Sequence, residues 1–153
     1  MKKLSWWFRV TGVVYIVLGV TWLPFINAPK LDAVIPGFDG PVGGTAYNGF
    51  LDWLVMFALE MLVVGAFLIY ASFAPAKHLS LVWLVIALEV VRGIVDDVYM
   101  IAAGYPVASN VVFIVLHALI IVTGVLAARA AKAQHRTAQA SSNPTMPAVS
   151  QAT

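Results

Sequence analysis

Residues 50–73 read FLDWLVMFALEMLVVGAFLIYASF, and this stretch decides the fold. It is longer than the ~20 apolar residues that a helix needs to cross the hydrocarbon core of a bilayer. Its charged residues are Asp52 and Glu60. Three more segments are apolar over a similar length: residues 6–25, 79–102 and 111–128. The sequence therefore predicts four transmembrane helices, which are named the first to fourth spans in chain order.

The composition is that of a membrane protein rather than a soluble one. Hydrophobic residues make up 61% of the chain and charged residues 10%, against about 25% charged residues in a typical soluble domain. The chain has no cysteine, which excludes disulfides and cysteine-ligated metals. The net charge of +2 is too small to indicate nucleic-acid binding. The expected partner is therefore the lipid bilayer.

The positive residues predict the orientation of the spans. Lysines and arginines gather at one set of span ends: Lys2, Lys3, Arg9, Lys77, Arg129, Lys132 and Arg136. The opposite ends have only Lys30. Because cytoplasmic flanks carry an excess of Lys and Arg, we expect both termini in the cytoplasm, an N-in/C-in topology. The first apolar run is long for a signal peptide and no small-x-small cleavage site follows it, so we expect an uncleaved span in the bacterial cytoplasmic (inner) membrane.

The predicted fold class is all-α, an integral membrane four-helix bundle formed by residues 1–132. The connection from Asn27 to Gly49 is long and rich in Pro and Gly, whereas the two later connections are short. Short connections predict that the second, third and fourth spans are antiparallel neighbours. Residues 133–153 are rich in Ala, Gln, Ser, Thr and Pro without periodicity, which predicts a disordered cytoplasmic tail.

Small residues recur at a spacing of seven in the first two spans. Gly12 and Gly19 form one such row, and Ala58, Gly65 and Ser72 form another. Rows of small residues let membrane helices approach closely. We interpret both rows as packing surfaces rather than as binding sites.

The candidate functional residues begin in the third span, which reads LEVVRGIVDDVYM over residues 88–100. Glu89, Arg92 and Asp96 are spaced by three and four residues, so they share one face of an α-helix, which Tyr99 continues. Ionisable groups at membrane depth cost roughly several kcal/mol each, and they normally face the bundle interior and mark function.

The short connections predict the depth of these groups, because residues that are equally far along the chain from a turn lie level in the two antiparallel helices that it joins. Glu60 and Glu89 should lie level and face each other, and Asp96 and His117 should lie level nearer the outside, with Arg92 between the two pairs. Asp97 should point about a quarter turn away, closer to the interface. The carboxylates outnumber the cations, so a proton or a bound cation is expected to neutralise them. The predicted ligand-binding residues are Glu60, Glu89, Arg92, Asp96, Tyr99 and His117.

Three functional interpretations stay open. The first is a non-enzymatic protein that binds or moves a small molecule or a proton, with a dead-end pocket favoured over a channel because the inner half has few polar residues. The second is a membrane-embedded acid–base enzyme, such as an isomerase of a hydrophobic substrate. The third is a structural assembly partner in which the charged residues only fix helix packing.

The sequence assigns no catalytic residue and no cofactor. It contains no phosphate-binding loop, GxSxG or HExxH motif, and one histidine among carboxylates is too few for a metal site. No metal is therefore expected. A homo-oligomer stays open.

The sequence resembles the BphX-like family of small bacterial membrane proteins, which is named for genes found among those for biphenyl degradation. The resemblance covers most of residues 1–129 and rests on five strings: KLSWWFRV (3–10), LEM (59–61), LEVVRGIVDDVYMI (88–101), GY (104–105) and VLH (115–117). It implies four membrane helices and a link to aromatic catabolism. It implies no mechanism and no catalytic residues.

Overall fold

The computed structural model describes residues 1–31 and 35–142. Over these residues the chain is helical without strands. Four helices are long and apolar enough to cross a membrane: Lys2–Thr21, Thr45–Ala71, Pro75–Ala102 and Val107–Gln134. They correspond to the four predicted spans, with ends displaced by a few residues. The first connection adds a short helix, Pro24–Asn27, and a 3₁₀ turn, Ala28–Lys30.

The third span is not one uniform helix. It begins with a 3₁₀ turn at Pro75–His78 and continues as an α-helix over Leu79–Leu88. A π-helix then occupies Glu89–Val95, and an α-helix over Asp96–Ala102 completes the span. The π-helix therefore coincides with the charged stretch of the sequence.

The fourth helix runs from Val107 to Ser142. It continues through residues 133–142, which the sequence analysis places in a disordered tail. This stretch reads AQHRTAQASS, and Ala, Gln and Arg, which make up six of its ten residues, are strong helix formers. The rest of that predicted tail, residues 143–153, lies outside the described residues, so its disorder stays a prediction.

The first and second spans pack backbone to backbone through the two rows of small residues. A Cβ added at Gly12 would lie 2.9 Å from the Gly65 carbonyl oxygen, and one at Gly19 would lie 3.0 Å from the Ala58 carbonyl oxygen. Such distances are shorter than a methyl group allows. The absence of a side chain at Gly12 and Gly19 is therefore what permits this contact.

The order of the spans differs from the predicted one. The second span packs mainly on the first, the first also contacts the fourth, and the third packs along the fourth. The second and third spans meet chiefly at the short turn Pro75–His78 that joins them. Their prediction as close neighbours is wrong because the small-residue row of the second span faces the first span. A gap is left between the second and third spans.

The end of the bundle that carries the chain termini has an apolar core. Phe8, Val82 and Ala128 are fully buried there. The Trp7 indole donates a hydrogen bond of 3.2 Å to the Ile120 carbonyl oxygen. The Met1 amino group bonds to Gln134, so the start of the first span and the end of the fourth span lie at the same end of the molecule.

Candidate functional site

Four polar side chains from three spans form a buried cluster, which we name the histidine cluster: Tyr15, Glu89, Asp97 and His117. Glu89 is 3% exposed and lies at its centre. The Tyr15 hydroxyl donates to one Glu89 oxygen, Oε1, and His117 Nδ1 lies 2.5 Å from the other, Oε2. On its far side the imidazole faces Asp97, with Nε2 at 3.5 Å from Oδ2. The imidazole thus lies between two carboxyl groups.

Gly93 makes room for the histidine. It lies between Glu89 and Asp97 in sequence, and the His117 ring rests directly on it. A Cβ added at Gly93 would lie 2.5 Å from His117 Nδ1 and 2.7 Å from Cδ2. Any side chain at this position would therefore force the ring away from Glu89.

The π-helix decides which aspartate reaches the histidine. In a continuous α-helix of 3.6 residues per turn, Glu89 and Asp96 would share a face. The i→i+5 bonding of the π-helix inserts about one extra residue into the turn, so the face continues at Asp97. The residue spacing places Asp96 level with His117, but the aspartate that faces the imidazole is Asp97. Asp97 is 9% exposed and so belongs to the interior of the bundle, and Tyr99, expected on the same face as Glu89, is 67% exposed.

A second cluster lies on the other side of the third span, in the gap beside the second span. Arg92 forms an ion pair with Glu60, with side chains 28% and 51% exposed. The Arg92 guanidinium also lies over the Phe57 ring, 4.8 Å from its centre. The surrounding groove has a volume of about 590 Å³. We name it the arginine groove, lined by Trp53, Met56, Phe57, Glu60, Val91, Arg92 and Asp96.

The single column of polar residues predicted from the sequence is therefore split into two sites. Arg92, predicted to lie between the two pairs, forms its ion pair with Glu60. The prediction that Glu60 faces Glu89 is wrong, because the gap between the second and third spans leaves Glu60 in the groove. A small cavity of about 50 Å³ lies between the sites, and its lining includes Glu89 and His117 of one and Phe57 and Arg92 of the other.

One atom of the histidine cluster lacks a full partner. Within the described part of the chain, Asp97 Oδ2 is a buried oxygen without a hydrogen bond, and His117 Nε2 is 3.5 Å away. A proton on either group would favour closure of this distance into a hydrogen bond. Over residues 1–31 and 35–142, no three His, Cys, Asp or Glu side chains converge as a metal site would require.

Tyr15 and Gly93 are the members of this site that the sequence analysis misses. Tyr15 follows Gly12 by three residues and precedes Gly19 by four. It therefore shares the packed face of the first span, and that spacing is a usable signal. Gly93 carries no signal of its own, because its role depends on a histidine 24 positions away in the sequence.

Comparison with known proteins identifies the family of this chain. The model of the BphX-like family matches residues 1–133. An uncharacterized BphX-like protein of Burkholderia cepacia is 27% identical over 130 residues, covering 85% of this chain and 94% of the relative. A second one, from Paraburkholderia xenovorans strain LB400, matches with the same identity and coverage. No solved structure matches the chain. The family match covers the first three long helices, the fourth as far as residue 133, and both clusters, and the chain therefore belongs to the BphX-like family.

Proposed function

We propose that this protein is a multi-pass protein of the bacterial inner membrane, N-in/C-in, which binds and releases protons at the histidine cluster. The observation that carries the proposal is the position of His117, held between the carboxyl groups of Glu89 and Asp97 inside four apolar helices. These are the groups that proton-binding sites in membranes commonly use.

The charges of the cluster support proton binding. With a neutral imidazole and both carboxyl groups ionised, Glu89 and Asp97 carry one negative charge each, and Tyr15 adds no charge. Buried net charge is costly in a medium of low dielectric constant. The nearest fixed cation, Arg92, is already paired with Glu60. Added protons therefore provide the neutralisation that the surrounding residues lack.

The surroundings favour a dead-end site over a channel. Between the cluster and the end that carries the termini, the described interior is filled mainly by apolar side chains such as Phe8 and Val82, and its buried polar side chains, Thr11 and Ser72, are few. A proton path needs a chain of polar groups or ordered water. A protein that takes up and releases protons from one side fits this packing better than one that conducts them across.

The acid–base enzyme has less support. An enzyme needs an enclosed pocket beside its acid and base, and small-molecule pockets measure about 300–1,000 Å³. The cavity that touches Glu89 and His117 measures about 50 Å³. That volume suits a few water molecules rather than a hydrophobic substrate.

Infrared difference spectroscopy of the protein in phospholipid vesicles tests the proposal. Lowering the pH should produce a protonated-carboxyl band, because protons enter the histidine cluster. Glu89→Gln or Asp97→Asn should remove that band or reduce it by about half. Asp39→Asn is the matched control, since Asp39 is exposed in the first connection, and it should leave the band unchanged. A band that persists at full strength in both cluster variants would show that protons do not bind there.

A further inference from the structure

We propose that the arginine groove binds a lipophilic organic cation, such as a hydrophobic amine or an onium ion. The groove is separate from the histidine cluster, and this site goes beyond the proposed proton binding without depending on it. Three properties of the groove carry the inference: its charge, its aromatic lining and its access from the side of the bundle.

The groove has an excess of negative charge. Glu60 and Asp96 carry −1 each and Arg92 carries +1, which leaves −1 in total. Glu60 takes the ion pair with Arg92. Asp96 lines the same groove and is exposed to it, and within the described residues no cation is paired with it. An incoming cation would balance the groove, whereas an anion would add to the excess.

The aromatic lining is already arranged for cations. Phe57 has the Arg92 guanidinium 4.8 Å from its ring centre, so one ring face is in use. Trp53 stacks on Phe57 with ring centres 5.6 Å apart and an angle of 12° between the ring planes. Phe50 also lies beside Trp53, with ring centres 5.7 Å apart, but Trp53 is still 53% exposed, and this exposed ring surface is available to a second cation. Tryptophan is the best cation–π partner among the aromatic side chains.

Size and access restrict the ligand to a partly apolar molecule. A volume of about 590 Å³ is within the range of small-molecule sites. The groove opens sideways between the second and third spans, so in a bilayer it faces the lipid chains. Met56 and Val91 supply apolar walls. A metal ion or a hydrophilic amine would not enter by this route, because each would have to shed its hydration in hydrocarbon.

The test uses tetraphenylphosphonium as the probe and the purified full chain in detergent, with binding measured by equilibrium dialysis. We expect saturable binding of this cation. Tetraphenylborate has nearly the same size and shape but the opposite charge, and it should not bind saturably. Equal binding of the two ions would overturn the proposal, because it would show that the groove recognises only apolar surface.

Substitutions locate the site. Asp96→Asn should weaken cation binding by about tenfold or more, since it removes the unpaired charge, and Trp53→Leu should also weaken it. Both residues are exposed, so neither change opens a cavity in the core. Trp83→Leu is the control, because Trp83 has its own cation–π contact with Lys132 elsewhere on the bundle. Unchanged affinity in both groove variants would place the cation elsewhere and overturn the proposal.

A second copy of the chain is the rival occupant of the groove. The chain has no cysteine, so Val91→Cys would give a single thiol at the groove. Oxidation in membranes should leave this variant monomeric if the groove is open to small ligands. Efficient disulfide cross-linking between copies would assign the groove to a homodimer instead, provided that added tetraphenylphosphonium does not lower the extent of cross-linking.

Discussion

At the scale of single residues, Glu89 is held by partners on both carboxylate oxygens. Tyr15 donates to one oxygen from the first span, and His117 bonds to the other from the fourth. A buried carboxylate without partners would cost far more than one that accepts two hydrogen bonds. The tyrosine and the histidine therefore make a buried glutamate tolerable between apolar helices.

The contact between Gly93 and His117 leads to a prediction about stability. Gly93→Ala should destabilise the protein, because the new methyl group would collide with the imidazole and push it off Glu89. Overpacking of this kind costs about 1–3 kcal/mol. Thermal unfolding of the detergent-solubilised protein measures the effect.

Gly49→Ala is the control for that experiment. Gly49 also lies in a helix, but a Cβ added there would meet nothing within 4 Å. Alanine should be neutral or slightly stabilising at this position, because it favours helix more than glycine does. Equal melting temperatures for Gly93→Ala and the unaltered protein would mean that the histidine ring does not rest on Gly93.

The sequence predicts which residues belong to the clusters more readily than it predicts which of them pair with each other. Glu60, Glu89, Arg92 and His117 stand out because ionisable groups are rare in apolar segments, and each lies in one of the two clusters. Their pairing depends on which side of the third span each one faces. Residue spacing gives that side only if the helix is regular, and here it is not.

At the scale of the element, the π-helix at Glu89–Val95 determines the chemistry of the third span. It brings Glu89, Gly93 and Asp97, which are each four residues apart in the sequence, to one face of the helix. The same residues in an α-helix would drift around the axis by about 40° at each step. Because of this one extra residue, the histidine cluster contains Asp97. Without it, the cluster would contain Asp96.

Deletion of one residue tests this interpretation. Removing Val95, which is exposed, should convert the π-helix to an α-helix in which Glu89 and Asp97 are seven residues apart. Seven residues are close to two α-helical turns, so Asp97 should still reach His117. We expect this variant to fold and to retain more than about half of the membrane abundance of the unaltered protein.

Deleting Leu84 is the matched experiment in a regular stretch. Leu84 is also exposed, but it lies in the α-helix Leu79–Leu88. Its removal should rotate the two halves of the third span by about 100° relative to each other, and abundance should collapse. Equal abundance of the two deletion variants would contradict the role given to the π-helix.

The four long helices are predictable because hydrocarbon thickness sets a minimum length for an apolar run. The π-helix is not predictable in this way. Hydropathy shows which residues are apolar, but it does not show which carbonyl oxygen accepts a hydrogen bond from each amide N–H. The third and fourth spans pack on each other as predicted, but the predicted packing of the second span on the third is wrong. Connection length suggested that the second span packs on the third, but the close approach of Gly12 to Gly65 keeps it on the first.

At the scale of the whole molecule, orientation is the property still to be measured. Reporter fusions at Lys77 and after Lys132 should report a cytoplasmic location, and a fusion near Gly40 a periplasmic one, because of the bias in Lys and Arg. The bond between Met1 and Gln134 places the start of the first span and the end of the fourth at the same end of the bundle, so the two terminal flanks must lie on the same side of the membrane. A periplasmic location for the fusion after Lys132 would contradict the N-in/C-in assignment.

The glycine contact between the first two spans also has a consequence for biosynthesis. A chain that emerges from the ribosome amino-terminus first completes Gly12, Gly19 and Gly65 before the third span is made, so this pair of helices can assemble early. Until Glu89 arrives, the Tyr15 hydroxyl has no acceptor from the third span. A chain whose translation stops after the second span would thus contain the packed helix pair but lack the partner that the Tyr15 hydroxyl has in the finished protein.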